Sequence, residues 1–289
     1  MNRLKINSHL FEILSSSPPV WWNHLVQDED VAIQIRKDNY IDVYYNGGNI
    51  IRKLTFDGKS FNGETHFKYI PLESEGSDYI PFIFGKDSIT FGKVNIMKLE
   101  RFSKKSLKRI KEAIVNYYPT NSEKAIQYRF IKNDPWFIDS EFEYSYKDGR
   151  QDKTIRIDLV RLDSILRKIV FVEVKTVGDR RLFNNDIVTQ LRDYKNFIIQ
   201  YKPELEAYYK KLIEVKRNLK ILPDCVAKEN INNYGILEKP LLLLGDCEQE
   251  WIDKNASKID VKINDYAVGA YYFGKPAYHC DITKKSNRN

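Results

Sequence analysis

Residues 154–175 read TIRIDLVRLDSILRKIVFVEVK, two alternating apolar runs on either side of an Asp-Ser-Ile-Leu-Arg connection. In a strand, side chains two apart share a face. Ile155, Ile157 and Leu159 therefore line one face of the first run, with Arg156 and Asp158 on the other. In the second run Val170, Val172 and Val174 share a face, which leaves Glu173 and Lys175 together on the opposite one. A hairpin centred between Ile165 and Leu166 sets Asp158 opposite Glu173. Two carboxylates and one ammonium then converge on a single patch of sheet.

A carboxylate pair on rigid strands is a hard-oxygen site suited to Mg²⁺ or Mn²⁺. A lysine beside it can orient or deprotonate a water and offset negative charge in a transition state. Together these parts fit phosphodiester hydrolysis. The opposing reading is that Glu173 and Lys175 lie on the solvated outer face of an amphipathic strand. The same Glu-x-Lys string recurs at Glu214-Val215-Lys216, within a helical stretch, where positions two apart do not face each other.

Working outward, Ser122 is a candidate N-cap for a helix over residues 123–132 that carries Glu123 in its first turn, where an acid suits the helix dipole. Strands are expected at 137–146, 154–162 and 169–177. A long helix from Asp186 to about Lys220 should break at Pro203. On it Ile187, Leu191, Tyr194 and Ile198 form an apolar stripe, and Gln190 lies one turn before Tyr194, an amide that needs a hydrogen-bonding partner. Leu241 to Leu244 reads as a buried strand, residues 250–258 as a short helix and 267–273 as a last strand. This order predicts an α/β (α+β) fold with a mixed sheet and helices on its faces.

Residues 1–118 read instead as a smaller β-rich domain. Strands are expected at 31–35, 41–45, 49–56 and 61–70, with Asn46-Gly47-Gly48 supplying a tight hairpin and residues 71–81 a connector. Trp21-Trp22 suits a core better than an exposed anchor. A helix over 103–118 closes the domain. Its basic run, RFSKKSLKRIK, makes Lys104, Lys105 and Lys108 the candidate contact surface for a polyanion. The expected division is 1–118, 119–280 and a frayed tail, 281–289.

Glu123, Asp158, Glu173-Val174-Lys175 and Gln190-x-x-x-Tyr194, in that order across helix, strand, strand and helix, resemble the PD-(D/E)XK nuclease superfamily. The Gln-x-x-x-Tyr element is similar to its exonuclease-like branch. The likeness covers about residues 120–200, extending to 275 if the later strands complete the sheet. Ile157 stands where the pattern often has proline.

The resemblance implies a restriction-endonuclease-like core with helices on both faces, and Mg²⁺-dependent cleavage of nucleic acid, with Mn²⁺ substituting. It makes Asp158 and Glu173 metal ligands, with the Val174 carbonyl and Glu123 assisting. Lys175 would position or activate water, and Gln190 would orient Lys175 or the substrate strand. Tyr194 would support its helix or touch the nucleic-acid backbone. Arg180 and Arg181, at the rim, become candidate phosphate contacts. The expected partner is DNA, with RNA as the alternative, together with a second copy of the chain or a defence or repair protein.

Composition bounds these readings. The 289 residues are 42% hydrophobic and 30% charged with a formal charge of +7, which excludes fibrous and wholly disordered classes. Apolar runs fall short of the roughly 20 residues that span a bilayer. The N-terminal stretch lacks a secretory pattern, and three scattered cysteines give neither a disulfide framework nor a zinc site. A cytoplasmic protein without a membrane partner is expected. The four histidines are isolated, and no phosphate-cradling glycine loop is visible.

Overall fold

The computed structural model describes residues 6, 8–69, 78–84, 88–91, 95–98, 107–119, 122–148 and 151–274. The protein is mixed α/β, with seven helices and two sheets among the described residues. Its contacts group into two units, Met1–Thr120 with Lys211–Pro223, and Asn121–Lys210 with Asp224–Asn289. None of the helices described is long and apolar enough to cross a membrane.

The first unit is built on an antiparallel meander: β1 (Ala32–Ile35), β2 (Ile41–Tyr45), β3 (Gly48–Phe56), β4 (Phe61–His66), β5 (Tyr79–Phe84), β6 (Ser88–Phe91) and β7 (Asn95–Lys98). Asn46 and Gly47 both have positive φ, 45° and 86°, in the two-residue turn that pairs Tyr45 with Gly48. Two short helices, α1 (His9–Ser16) and α2 (Val20–Val26), precede the sheet, and α3 (Leu107–Tyr117) follows it. Both tryptophans of α2 are buried, and Trp21 stacks on Phe84 at 4.0 Å between ring centroids.

Three of these elements differ from expectation. The two helices flanking Pro18 and Pro19 were not anticipated at all. Tyr79–Phe84 is a strand, with Ile80, Phe82 and Phe84 buried in alternation, where a connector was expected to run through Pro81. Strand β4 ends at His66 and passes into a 3₁₀ turn, Phe67–Tyr69.

The second unit carries the hairpin. After α4 (Glu123–Asn133), capped by the Ser122 hydroxyl accepting from the Ala125 amide (3.2 Å), come β8 (Phe137–Asp148), β9 (Gln151–Asp163) and β10 (Lys168–Thr176). Helix α5 (Asp186–Asn218), whose residues from Lys211 on group with the first unit, leaves helical geometry at Tyr201, two residues before Pro203, the break that the proline dictates. Helix α6 (Asp224–Ala227), β11 (Gly235–Ile236), β12 (Leu241–Gly245), α7 (Gln249–Ile263) and β13 (Ala270–Tyr272) complete the unit. The sheet order is β13-β12-β10-β9-β8, with β11 also paired to β10. Strands β12 and β13 run parallel to β10, β9 runs antiparallel to it, and β8 runs antiparallel to β9.

Helices cover both faces of this sheet. On one face Ile126 and Phe130 of α4 pack with Leu159, Val170, Val172, Val174, Leu241 and Leu243. On the other, Ile187 and Leu191 of α5 and Ile259 and Ile263 of α7 pack with Leu242 and Leu244. Gly245 lets α4 approach closely, since a Cβ there would stand 2.5 Å from Ile126. That approach seats the first turn of α4, with Glu123, near the end of β10.

Candidate active site

Asp163 fixes the hairpin. Its Oδ1 accepts from the amides of Ile165 (3.0 Å) and Leu166 (2.8 Å), and Arg167 takes a positive φ of 51° to close the turn. From there the ladder runs from Asp163–Lys168 to Leu159–Val172, the register read from the sequence. The ladder stops one step short of Asp158 and Glu173. At that step the Asp158 carboxylate takes over as acceptor: the Val174 amide donates to Asp158 Oδ2 (2.8 Å).

Glu173 and Lys175 are each only 1% exposed, which rules out a solvated-surface role. Both lie opposite the Val170–Val172–Val174 face, on the side that α5 covers. The Lys175 ammonium pairs with Glu173 Oε1 and donates to the Val174 carbonyl (3.1 Å). Gln190 Nε2, from the first turns of α5, donates to the same Glu173 oxygen at 2.6 Å. Sequence reasoning offered Lys175 or the substrate as the partner of Gln190; the geometry gives it Glu173. One turn on, the buried Tyr194 hydroxyl donates to the Arg156 carbonyl and ties α5 to β9.

Electrostatics bind these acids into one group. Burial, then the charge of Glu173, pushes the Asp158 carboxyl well above the usual carboxylate range, against the pull of Lys175. Glu123 is raised too, first by burial, with Glu173 adding to the rise and Lys175 and Arg181 opposing it. The Tyr194 hydroxyl is pushed well up by burial and by the charges of Glu173 and Asp158.

Beyond β10, a 3₁₀ turn (Arg180–Phe183) carries the two rim arginines, both exposed. Asp179 clamps Arg181: its carboxylate accepts from the Arg181 amide (2.9 Å) and from both Nε (3.0 Å) and Nη2 (2.5 Å). Against the upward push of burial, these bonds hold the Asp179 carboxyl below its ordinary value. Arg181 Nη2 also stands 3.9 Å from Glu123 Oε2. Sequence reading passed over Asp179, although an Asp two residues before an Arg at a helix start is a recognisable capping signal.

The remaining candidates are scattered. Lys104 and Lys105 lie outside the described residues. Lys108 is exposed on α3, 4.0 Å from Glu112, while Lys111 of the same run points back to Asp28 (2.8 Å) and Asp30 (3.0 Å). The second Glu-x-Lys string proves structural: Lys216 is 3% exposed and donates to Gln34 Oε1 at 2.6 Å.

Among the described residues, no three His, Cys, Asp or Glu side chains form a ready-made metal cage. The Lys175 ammonium already occupies one oxygen of Glu173. The donor set nevertheless fits a hard cation. Glu173 Oε2 and Gln190 Oε1 are buried oxygens with no hydrogen-bond partner, and a carboxylate oxygen so placed is costly without a counter-charge.

No family model, curated protein or solved structure matches this chain.

Proposed function

We propose that the second unit is a metal-dependent nuclease domain of the PD-(D/E)XK kind, hydrolysing phosphodiester bonds in DNA. One observation carries the reading. Where the β9–β10 ladder ends, Asp158 accepts from the Val174 amide beside the buried Glu173–Lys175 pair, with Glu173 Oε2 left unsatisfied there.

Asp158 and Glu173 would hold the cation, with Glu123 near enough to couple to them electrostatically. A bound Mg²⁺ or Mn²⁺ would supply Lewis acidity and offset the charge that builds on phosphorus. Lys175 orients the attacking water or neutralises a phosphoryl oxygen. Gln190 fixes the Glu173 carboxylate, as outer partners commonly do for ligating acids.

The test is cleavage of plasmid, linear duplex, single-stranded DNA and RNA with Mg²⁺ or Mn²⁺. Cleavage abolished by Asp158→Asn and by Lys175→Ala, and retained by Lys211→Ala at an exposed position of α5, supports the reading. Undiminished cleavage by Asp158→Asn overturns it.

A second reading is favoured by the Lys175–Glu173 ion pair, which takes up one oxygen of Glu173. In it the chain is a nucleic-acid-binding subunit that uses this architecture without turnover. It requires salt-sensitive DNA binding that survives both substitutions and needs no metal.

A further inference from the structure

A cavity of about 430 Å³ opens where β11, α5 and the chain beyond α7 meet. It lies at the start of β10, and Glu173 stands five residues further on, about 16 Å along that strand. Ile236, Leu237, Ala267 and Val268 give the cavity an apolar wall, and Lys168, Lys202 and Lys239 give it charge. We propose that this cavity binds a small phosphate monoester, with the phosphate among the lysines and an apolar substituent against the wall. The proposal is independent of the nuclease reading.

The walls are set before a ligand arrives. The Ile236 amide donates to Glu206 Oε1 (3.1 Å), and the Leu237 amide to the Ile169 carbonyl (3.0 Å). The Val268 amide donates to the Pro240 carbonyl (2.8 Å), and the Lys239 ammonium to the Asn264 carbonyl (2.9 Å). Two segments distant in sequence are thus fixed against each other. Pockets of about 300–1,000 Å³ with apolar walls and a few charged groups are the kind that enclose small ligands.

Charge selects the ligand. The lining holds one acid, Glu238, and Lys202 pairs with it at 2.7 Å. The Glu238 carboxyl is held below its ordinary value first by that bond and the Lys202 charge, with Lys168 and Lys195 adding to the pull. Of the charges that reach this group from outside the lining, Lys195 and Glu206 oppose each other. Three ammoniums against one carboxylate leave a double positive charge, and a phosphate monoester carries about 1.5 to 2 negative charges at neutral pH. Donors agree with charge, since each ammonium has three. Lys202 spends one on Glu238 and Lys239 one on Asn264, whereas half-buried Lys168 makes no hydrogen bond or ion pair among the described residues. Its Nζ lies 3.3 Å from the point that a Cβ on Gly235 would occupy, so the glycine leaves this ammonium room. An anionic oxygen would return the desolvation that such a group has lost.

The experiment is a ligand-observed NMR titration of the full chain with phenyl phosphate, inorganic phosphate and phenol, in EDTA and at low salt. Phenyl phosphate should bind more tightly than either of its parts. Lys168→Ala should weaken it about 10- to 150-fold, the range for one lost charged hydrogen bond. Glu238→Gln should tighten it about 5-fold, by removing a like charge and releasing Lys202. Arg181→Ala, at the rim of the acid cluster, should leave it unchanged. Circular dichroism melting checks that the variants fold, and the exposed Glu238 offers a change that leaves the core alone. Inorganic phosphate binding as tightly as phenyl phosphate marks an adventitious ion only and overturns the proposal. So does binding that is unmoved by Lys168→Ala, weakened by Glu238→Gln or lost in Arg181→Ala.

Discussion

Gln190 and Lys175 converge on the same oxygen of Glu173, the amide at 2.6 Å and the ammonium in direct ion-pair contact, from opposite sides of the interface between β10 and α5. Glu173 is thus held by one neutral and one charged donor while its second oxygen stays unsatisfied.

Replacing Gln190 by Ala should therefore loosen Glu173 without unfolding the unit. The concentration of Mg²⁺ needed for half-maximal cleavage is expected to rise about 10- to 100-fold, as when the outer partner of a ligating group is removed. A metal titration of initial rates checks this. An unchanged midpoint would separate Gln190 from the ligand role of Glu173.

Removing the Lys175 ammonium leaves a buried carboxylate without its counter-charge. In EDTA, Lys175→Ala should lose about 3–5 kcal/mol of stability. Saturating Mg²⁺ should return part of that loss and stabilise this variant more than the wild type, because a ligand that binds only the native state raises its stability. Denaturant melts with and without Mg²⁺ give both quantities.

Asp158 gives the opposite sign. Its pKa is raised in the folded state by burial and by Glu173, so the native chain binds this proton more tightly than the unfolded one. Stability from this group therefore falls as pH rises from the ordinary 3.8 through the raised value, and the penalty is complete above it. Asp158→Asn should melt higher than wild type in EDTA at pH 8, with the difference vanishing near pH 4. The same variant should not cleave. Thermal melts across that pH range decide the matter.

Tyr194→Phe keeps the ring in its apolar stripe but strips the Arg156 carbonyl of a donor. An expected loss of about 0.5–1.5 kcal/mol reflects one hydrogen bond lost from a part-buried carbonyl. Urea unfolding measures it, and a wild-type midpoint would show that water replaces the hydroxyl.

Much of the hairpin was legible because alternation and connection length together fix register. The register from Asp163–Lys168 to Leu159–Val172 follows from counting back to the middle of Asp-Ser-Ile-Leu-Arg. The burial of Glu173 and Lys175 was not legible, since an outward face reads alike whether water or α5 covers it. Pro81 hid β5 for a different reason. A proline argues against a strand paired on both sides, yet β5 pairs with both β4 and β6, and the Ile80–Phe82–Phe84 burial holds it there. The Tyr194–Arg156 tie, 38 residues apart, depends on how α5 lies across β9, which local pattern does not encode.

Strand β10 is hydrogen-bonded on both edges, to β9 and to β12. The alternation that seats Val170, Val172 and Val174 in the core is the same one that turns Glu173 and Lys175 toward α5. Inserting a single residue before Glu173 would exchange the two sets, stranding charges among the leucines and sending valines to the reaction centre. Core and chemistry are mechanically geared, so this strand cannot lose one by slippage and keep the other.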